Sequence, residues 1–149
     1  MPKLKFNAWL THWSDASFDS FKAHAPLMAR VYPVWYTVGE GGMPQRRPEA
    51  TLLRRQAVLD VAKDASCEVW PLISNFSEKK QEWDGGIMRM VMGERNVRKG
   101  HILRLLALVK EDGAQGVDLD YEALFDEDGA PFSDFVDELY AAFHAASAS

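Results

Sequence analysis

In "GAQGVDLDYEAL" (residues 113–124) three acids, Asp118, Asp120 and Glu122, fall on alternate positions. Val117, Leu119 and Tyr121, just before and between them, are apolar or aromatic. Alternation with a period of two marks a β-strand, where residues two apart share a face and rise about 7 Å per step. The acids therefore form one column, and Leu119 and Tyr121 face the other way, toward surrounding helices. In an open sheet such a column would have to be solvated. In a barrel of parallel strands it points inward, and Glu122, last in the column, reaches the C-terminal rim where barrel enzymes work.

Stacked carboxylates do not all ionise cheaply, so sharing of protons and a raised pKa are expected within the column. That suits a general acid near neutral pH with a neighbouring carboxylate as its electrostatic partner. A solvated strand with chance acids is the plain alternative. A metal site is the third reading. Calcium loops starting at Asp118 or Asp126 would have Ala123 or Pro131 where the sharp-turn glycine belongs. A magnesium pair of Asp118 and Asp120 lacks an accompanying Gly-rich loop to cradle phosphates.

Working outward, three more β-like runs precede this one: "LKFNAWL" (4–10), "ARVYPVWYTV" (29–38) and "CEVWPLISNF" (67–76). Helical periodicities lie between them. Pro48 suits a first helical turn, with Leu53, Ala57 and Val61 following at four-residue spacing up to Ser66. A stretch from Trp83 carries Ile87, Met88, Val91 and Met92 and predicts a short helix. Ile102, Leu105, Leu106 and Val109 fall at i, i+3, i+4 and i+7 on a helix running to about Asp112. After the turn "DEDGAP", Pro131 starts a last helix with Phe132, Phe135, Val136, Leu139 and Phe143 on one face; the terminal "SAS" is expected to fray. Strand alternating with helix predicts an α/β fold with a parallel sheet, as a single domain over residues 1–149. The Gly- and Pro-rich loop 38–48 follows the second strand at the end where such folds keep their ligand sites.

With 17 basic and 22 acidic side chains, the net charge of −5 leaves no basic footprint for nucleic acid. The single cysteine, Cys67, excludes an internal disulfide and a thiolate metal cluster and reads as a small core residue. No apolar run has the length of a signal peptide or a membrane span, so the chain as given is expected to be cytoplasmic, with no membrane partner.

"GVDLDYE" resembles the active-site strand of glycoside hydrolase family 18, the chitinase-like family, whose pattern is Asp-Gly-x-Asp-x-Asp-x-Glu. "AWLTHW", "VYPVWYTV" and "WPLISNF" resemble the family's first three strands, particularly in the spore-cortex and peptidoglycan glucosaminidase branch. "RKGHILRLLALVKEDGAQGVDLDYEAL" and "FSDFVDELYAAFHAA" resemble the helix, catalytic strand and next helix. The resemblance covers nearly the whole chain. It implies a β/α (TIM) barrel of which four βα units, a half-barrel, are present.

Two departures stand out. Gln115 occupies the place of the family's first Asp, and the chain stops after the fourth βα unit of an eight-stranded barrel. The family's later Tyr, on the acetamido carbonyl, and its late Trp, flooring the sugar subsite, have no counterpart. Carried over by position, Glu122 resembles the acid that protonates the glycosidic oxygen. Asp120 resembles the residue that orients the N-acetyl group and stabilises the oxazolinium ion, and Asp118 supports Asp120. The substrate supplies the nucleophile, so the family departs from the two-carboxylate scheme. No metal and no organic cofactor is implied.

Aromatic faces stack on sugars while their polar edges stay wet. Trp9, Trp35 and Tyr36 lie late in their strands and either line a sugar groove or pack in the core; Trp70, early in its strand, reads as core. Asn75 either hydrogen-bonds a sugar hydroxyl or caps its loop. The four histidines show no metal-ligand spacing; His12 is placed to touch a ligand, while His24, His101 and His144 read as helix-surface residues. Met88, Met90 and Met92 read as core filler, and the Arg46–Arg47 and Arg54–Arg55 pairs as solvated charge. The expected partner is a glycan containing β-linked N-acetylglucosamine, cleaved by retaining, substrate-assisted hydrolysis. The alternatives are a module that binds such glycans without cleaving them, and a half-barrel that folds only as a homodimer or with a second half-barrel.

Overall fold

The computed structural model of the chain describes residues 5–147. Leu4, the expected first residue of the first strand, and Ala148 and Ser149, in the expected frayed end, lie outside the described residues. In chain order the strands are β1 (Phe6–Leu10), β2 (Met28–Val38), β3 (Pro44–Arg46), β4 (Glu68–Val69), β5 (Leu72–Ser74), β6 (Phe76–Ser77), β7 (Glu82–Trp83) and β8 (Asp118–Asp120). The helices are α1 (Asp15–His24), α2 (Leu52–Ala65), α3 (Gly85–Gly93), α4 (Arg95–Glu111) and α5 (Gly129–Ser147).

The main sheet runs β1-β2-β5-β8, with β3 and β4 also paired to β2. β1 lies parallel to β2, Trp9 opposite Tyr32 and Leu10 opposite Pro33, and β2 lies parallel to β4. α1, α2 and the pair α3–α4 separate β1, β2, β4–β5 and β8 in sequence, so the expected parallel α/β layout holds for the main sheet. The third β-like run is broken: Pro71 has no N–H to continue a ladder, and β4 and β5 flank it. Its tail forms an unexpected antiparallel hairpin, β6–β7, where Phe76 meets Trp83 edge to face at 5.5 Å. The fourth run contracts to Asp118–Asp120.

Three helices differ from their expected bounds; α5 starts at Gly129, two residues before Pro131. α2 starts at Leu52 because Thr51 caps it, its hydroxyl accepting from the Arg54 N–H at 3.3 Å, while Ala50 N–H turns back to the Arg47 carbonyl. Its buried residues are Val58 and Ala62; Leu53, expected on the inner face, is 83% exposed. α3 starts at Gly85 under an Asp84 cap, whose carboxylate accepts from Ile87 N–H at 3.1 Å. α1, which has only Phe18 and Phe21 as large apolar residues, carries a weak periodic signal and buries Phe21.

By packing, the chain divides into two compact units. The first takes in the chain up to Tyr36, Arg46–Leu72 and Val109–Asp118; Leu10, Phe21, Val31, Trp35, Val58 and Val69 are buried within it. The second takes in Thr37–Gln45, Ile73–Leu108 and the chain from Leu119 onward; Ile73, Met88, Met92, Leu105, Leu108 and Phe135 are buried within it. Cys67 is buried as a free thiol, and burial pushes its pKa up. No helix among the described residues is long and apolar enough to cross a membrane.

Candidate functional site

The acidic strand enters through two backbone bonds: Gln115 N–H to the Val69 carbonyl and Asp118 N–H to the Pro71 carbonyl, both 3.0 Å. Gln115 uses its side chain on the same rung. Its amide oxygen accepts from Val69 N–H at 2.8 Å, and its amide nitrogen donates to the Gly113 carbonyl at 3.1 Å. Where an acid would bring charge to the base of the column, Gln115 instead completes backbone pairing with β4. Next to it, a Cβ on Gly116 would come within 2.6 Å of the Trp70 ring, so glycine lets the indole lie against the strand. Trp70 is half-buried rather than core. Its N–H donates to Glu68 at 3.0 Å, and the Arg30 guanidinium lies 4.2 Å from its ring centroid.

Asp118 and Asp120 are half-buried on β8, and Glu122, two residues past its end, is exposed. In the first unit, the Trp9 indole N–H donates to Asp118 Oδ2 at 3.1 Å. Trp9 is otherwise 69% exposed, so its ring faces remain open for stacking while its polar edge is held.

In the second unit, Asn75 is 1% exposed. Its amide nitrogen donates to the Glu122 carbonyl at 2.8 Å, and its amide oxygen accepts from the Glu122 N–H at 2.9 Å. The Asn75 backbone carbonyl accepts from Asp84 N–H at 3.0 Å. This corrects the sugar-contact expectation for Asn75: both ends of its carboxamide are committed to the Glu122 backbone. Immediately beyond, Ala123 has φ +54°, a left-handed backbone that costs a non-glycine residue about 1 kcal/mol or more. A Cβ on Gly85 would stand 1.8 Å from the Ala123 carbonyl oxygen, so only glycine fits against that turn. Glu122 is thus carried on a rigid, tightly packed corner.

His101 corrects a further expectation. It is 0% exposed, on the buried side of α4, rather than a helix-surface residue. Its Nδ1 lies 2.6 Å from the Gly42 carbonyl and its Nε2 lies 2.8 Å from the Tyr121 hydroxyl. The signal was present in sequence: His101 precedes Leu105 by four and Leu108 by seven, on the stripe those residues bury.

The remaining candidates lie elsewhere in the first unit. Tyr36 is 0% exposed, and its hydroxyl donates to Asp112 at 2.8 Å. Burial and the Asp112 charge push the Tyr36 pKa above its usual range, so it stays a neutral donor. It is a core residue and not a groove-lining one. Asp112 also pairs with Arg46 at 2.9 Å and Arg55 at 3.1 Å, and Arg47 is buried, which corrects the reading of these arginines as solvated. Trp35, 4% exposed, lines a cavity of about 260 Å³ with Leu10, Phe18, Pro33 and Val58. His12 and Glu49 line it too, 3.9 Å apart, whereas Asp118, Asp120 and Glu122 do not. Among the described residues, no group of His, Cys, Asp and Glu side chains is arranged to hold a metal ion.

No family model matches the chain. An uncharacterized glycosylase, YvbX, of Bacillus subtilis (strain 168) is 31% identical over 78 residues, which are 52% of this chain and 23% of that protein. Among solved structures, a class V chitinase from Pseudomonas fluorescens Pf-5 superposes with a TM-score of 0.85 at 24% identity, covering 95% of this chain and 42% of the chitinase. The Bacillus cereus spore cortex-lytic enzyme SleL gives 0.79 at 12% identity, covering 91% of this chain and 32% of SleL. A family 18 chitinase from Cycas revoluta, solved with allosamidin, gives 0.75 at 18% identity over 91% of this chain and 39% of that one. The chain therefore spans less than half the length of these proteins. Its fold is a β/α half-barrel, the part of a TIM barrel that the family resemblance implies.

Proposed function

We propose, from a half-barrel fold shared with family 18 chitinases and a strand bearing Asp118, Asp120 and Glu122, that the chain is a glycoside hydrolase segment acting on β-linked N-acetylglucosamine glycans. The observation that carries this reading is the rigid mounting of Glu122: its peptide is clasped by Asn75 and followed by the left-handed Ala123. Placement of this kind is what a positioned acid needs, because small displacements of a catalytic group cost large factors in rate.

The chemistry follows the resemblance. The Glu122 carboxylic acid gives its proton to the glycosidic oxygen as the C1–O bond breaks and the electron pair leaves with the alcohol. The substrate's acetamido carbonyl oxygen attacks C1 and forms a cyclic oxazolinium ion. Asp120 orients the acetamido group and stabilises the positive charge, and Asp118 supports Asp120. Water, giving a proton back to the Glu122 carboxylate, then adds at C1 and reopens the ring with overall retention. Trp9, its N–H held by Asp118, offers an open indole face for stacking on a sugar ring.

A second reading is a glycan-binding module without turnover. Gln115 favours it: the first acid of the family pattern is replaced by an amide spent on the Val69 backbone. Hydrolysis of fluorogenic chitooligosaccharides by wild type and Glu122→Gln separates the two. The hydrolase reading expects activity that Glu122→Gln abolishes with sugar affinity retained; a Glu122→Gln protein as active as wild type would overturn it.

A further inference from the structure

We propose that His101 is a positioning residue for Glu122, acting from behind the strand through the Tyr121 hydroxyl. The proposal rests on the reading of Glu122 as the acid. A carbonyl oxygen only accepts, so the 2.6 Å contact with Gly42 puts the proton of the His101 ring on Nδ1. Nε2 then carries a lone pair and accepts from the Tyr121 O–H at 2.8 Å. The result is one directed chain of bonds, Tyr121 to His101 to Gly42.

Both ends of that chain are fixed. Gly42 has φ +81°, and a Cβ there would meet the Val91 side chain at 2.6 Å, so its carbonyl is held by close packing. Tyr121 is 9% exposed, and it sits between Asp120 and Glu122 in sequence, on the opposite side of the alternation. The Phe135 ring meets His101 at 5.6 Å and Tyr121 at 6.1 Å, closing the apolar surround. Burial drives the His101 pKa down to about 4 and the Tyr121 pKa up, so both stay neutral and the direction of donation does not reverse near neutral pH.

Regular strand pairing ends at Asp120. Beyond it, Asn75 holds the Glu122 peptide and His101 holds the residue just before it. Losing the Tyr121 anchor lets the chain between Asp120 and Glu122 rotate. The distance between those two carboxylates, which sets their mutual charge effect, changes with it.

The test is carbon-13 NMR titration of the Glu122 carboxyl in glutamate-labelled full chain, in wild type, Tyr121→Phe, His101→Asn and the double variant. Asn keeps a donor for Gly42 in the place of Nδ1 but offers no acceptor in the place of Nε2. A merely structural His101 would be rescued by it. The expected result is a Glu122 midpoint displaced by about 0.5 unit or more in both single variants, with no further displacement in the double. Midpoints equal to wild type in folded single variants would overturn the proposal. So would loss of cooperative melting in both, since the two bonds would then hold the whole unit rather than one side chain. If Glu122→Gln keeps hydrolysis while the midpoint still moves, the acid reading fails and the positioning stands.

Discussion

The Asn75 carboxamide and the Glu122 peptide exchange one hydrogen bond in each direction, at 2.8 and 2.9 Å. This is the pairing two residues make across an antiparallel ladder, supplied here by a side chain. Asn75→Ala leaves the partly buried Glu122 N–H and C=O without those partners and is expected to destabilise the protein by about 1–2 kcal/mol. Guanidinium titration followed by circular dichroism measures it. A change under about 0.5 kcal/mol would show that the clasp carries no weight.

Asp120→Asn keeps size and removes charge. On N-acetylated substrates it is expected to lower turnover by about a hundredfold or more, as the loss of one electrostatic contact to a developing charge does elsewhere. Steady-state kinetics with chitooligosaccharides and their de-N-acetylated counterparts checks it. Cleavage indifferent to the acetyl group would point to a protein nucleophile in place of the substrate's own.

Acid stability should depend on His101. Its pKa falls from 6.5 unfolded to about 4 folded, because burial penalises the cation. Between those values the unfolded chain binds a proton that the folded one refuses, so stability is fully present above pH 6.5 and is lost as pH falls toward 4. The loss is on the order of 3 kcal/mol. Thermal melts of wild type from pH 7 to pH 4, set beside Tyr121→Phe and His101→Phe, read it directly; a His101→Phe protein with the same acid slope as wild type would refute the assignment.

Alternation made the strand Asp118–Asp120 legible in sequence, since a period of two needs no partner strand to be seen. The burial stripe of α4 is likewise local, but a histidine on it reads as a surface residue until Gly42 and Tyr121 supply its buried partners. What sequence did not carry was the partner across space. Asn75 and Glu122 are separated by 47 positions, and nothing local distinguishes an amide aimed at a sugar from one aimed at a peptide. Tyr36 shows the same limit from the other side. A late-strand tyrosine looks like a groove residue until Asp112, 76 positions on, accepts its hydroxyl. Leu53 shows it again: it shares four-residue spacing with Ala57 and Val61, yet Val58 and Ala62, one position on, carry the buried face of α2.

β1 and β8 end the sheet order, and β1 carries Phe6 and Trp9 at 59% and 69% exposure. Strand edges with exposed apolar side chains pair readily with other chains. The chain is expected to self-associate, or to take up a complementary set of strands, through those edges. Sedimentation velocity at low micromolar concentration decides it: a monomer that melts cooperatively would exclude the idea.

The 1.8 Å that would separate a Gly85 Cβ from the Ala123 oxygen ties two distant positions into one mutational unit. Any side chain at Gly85 forces the turn after Glu122 to move, and relaxing that turn by substitution at Ala123 does not open the space, because the obstructing atom is backbone. Gly85 cannot drift, whatever side chain stands at 123. A laboratory lineage selected for glycan cleavage would therefore explore the exposed helix surfaces freely while this corner stayed closed to change, and variants that broke it would survive only where turnover no longer mattered.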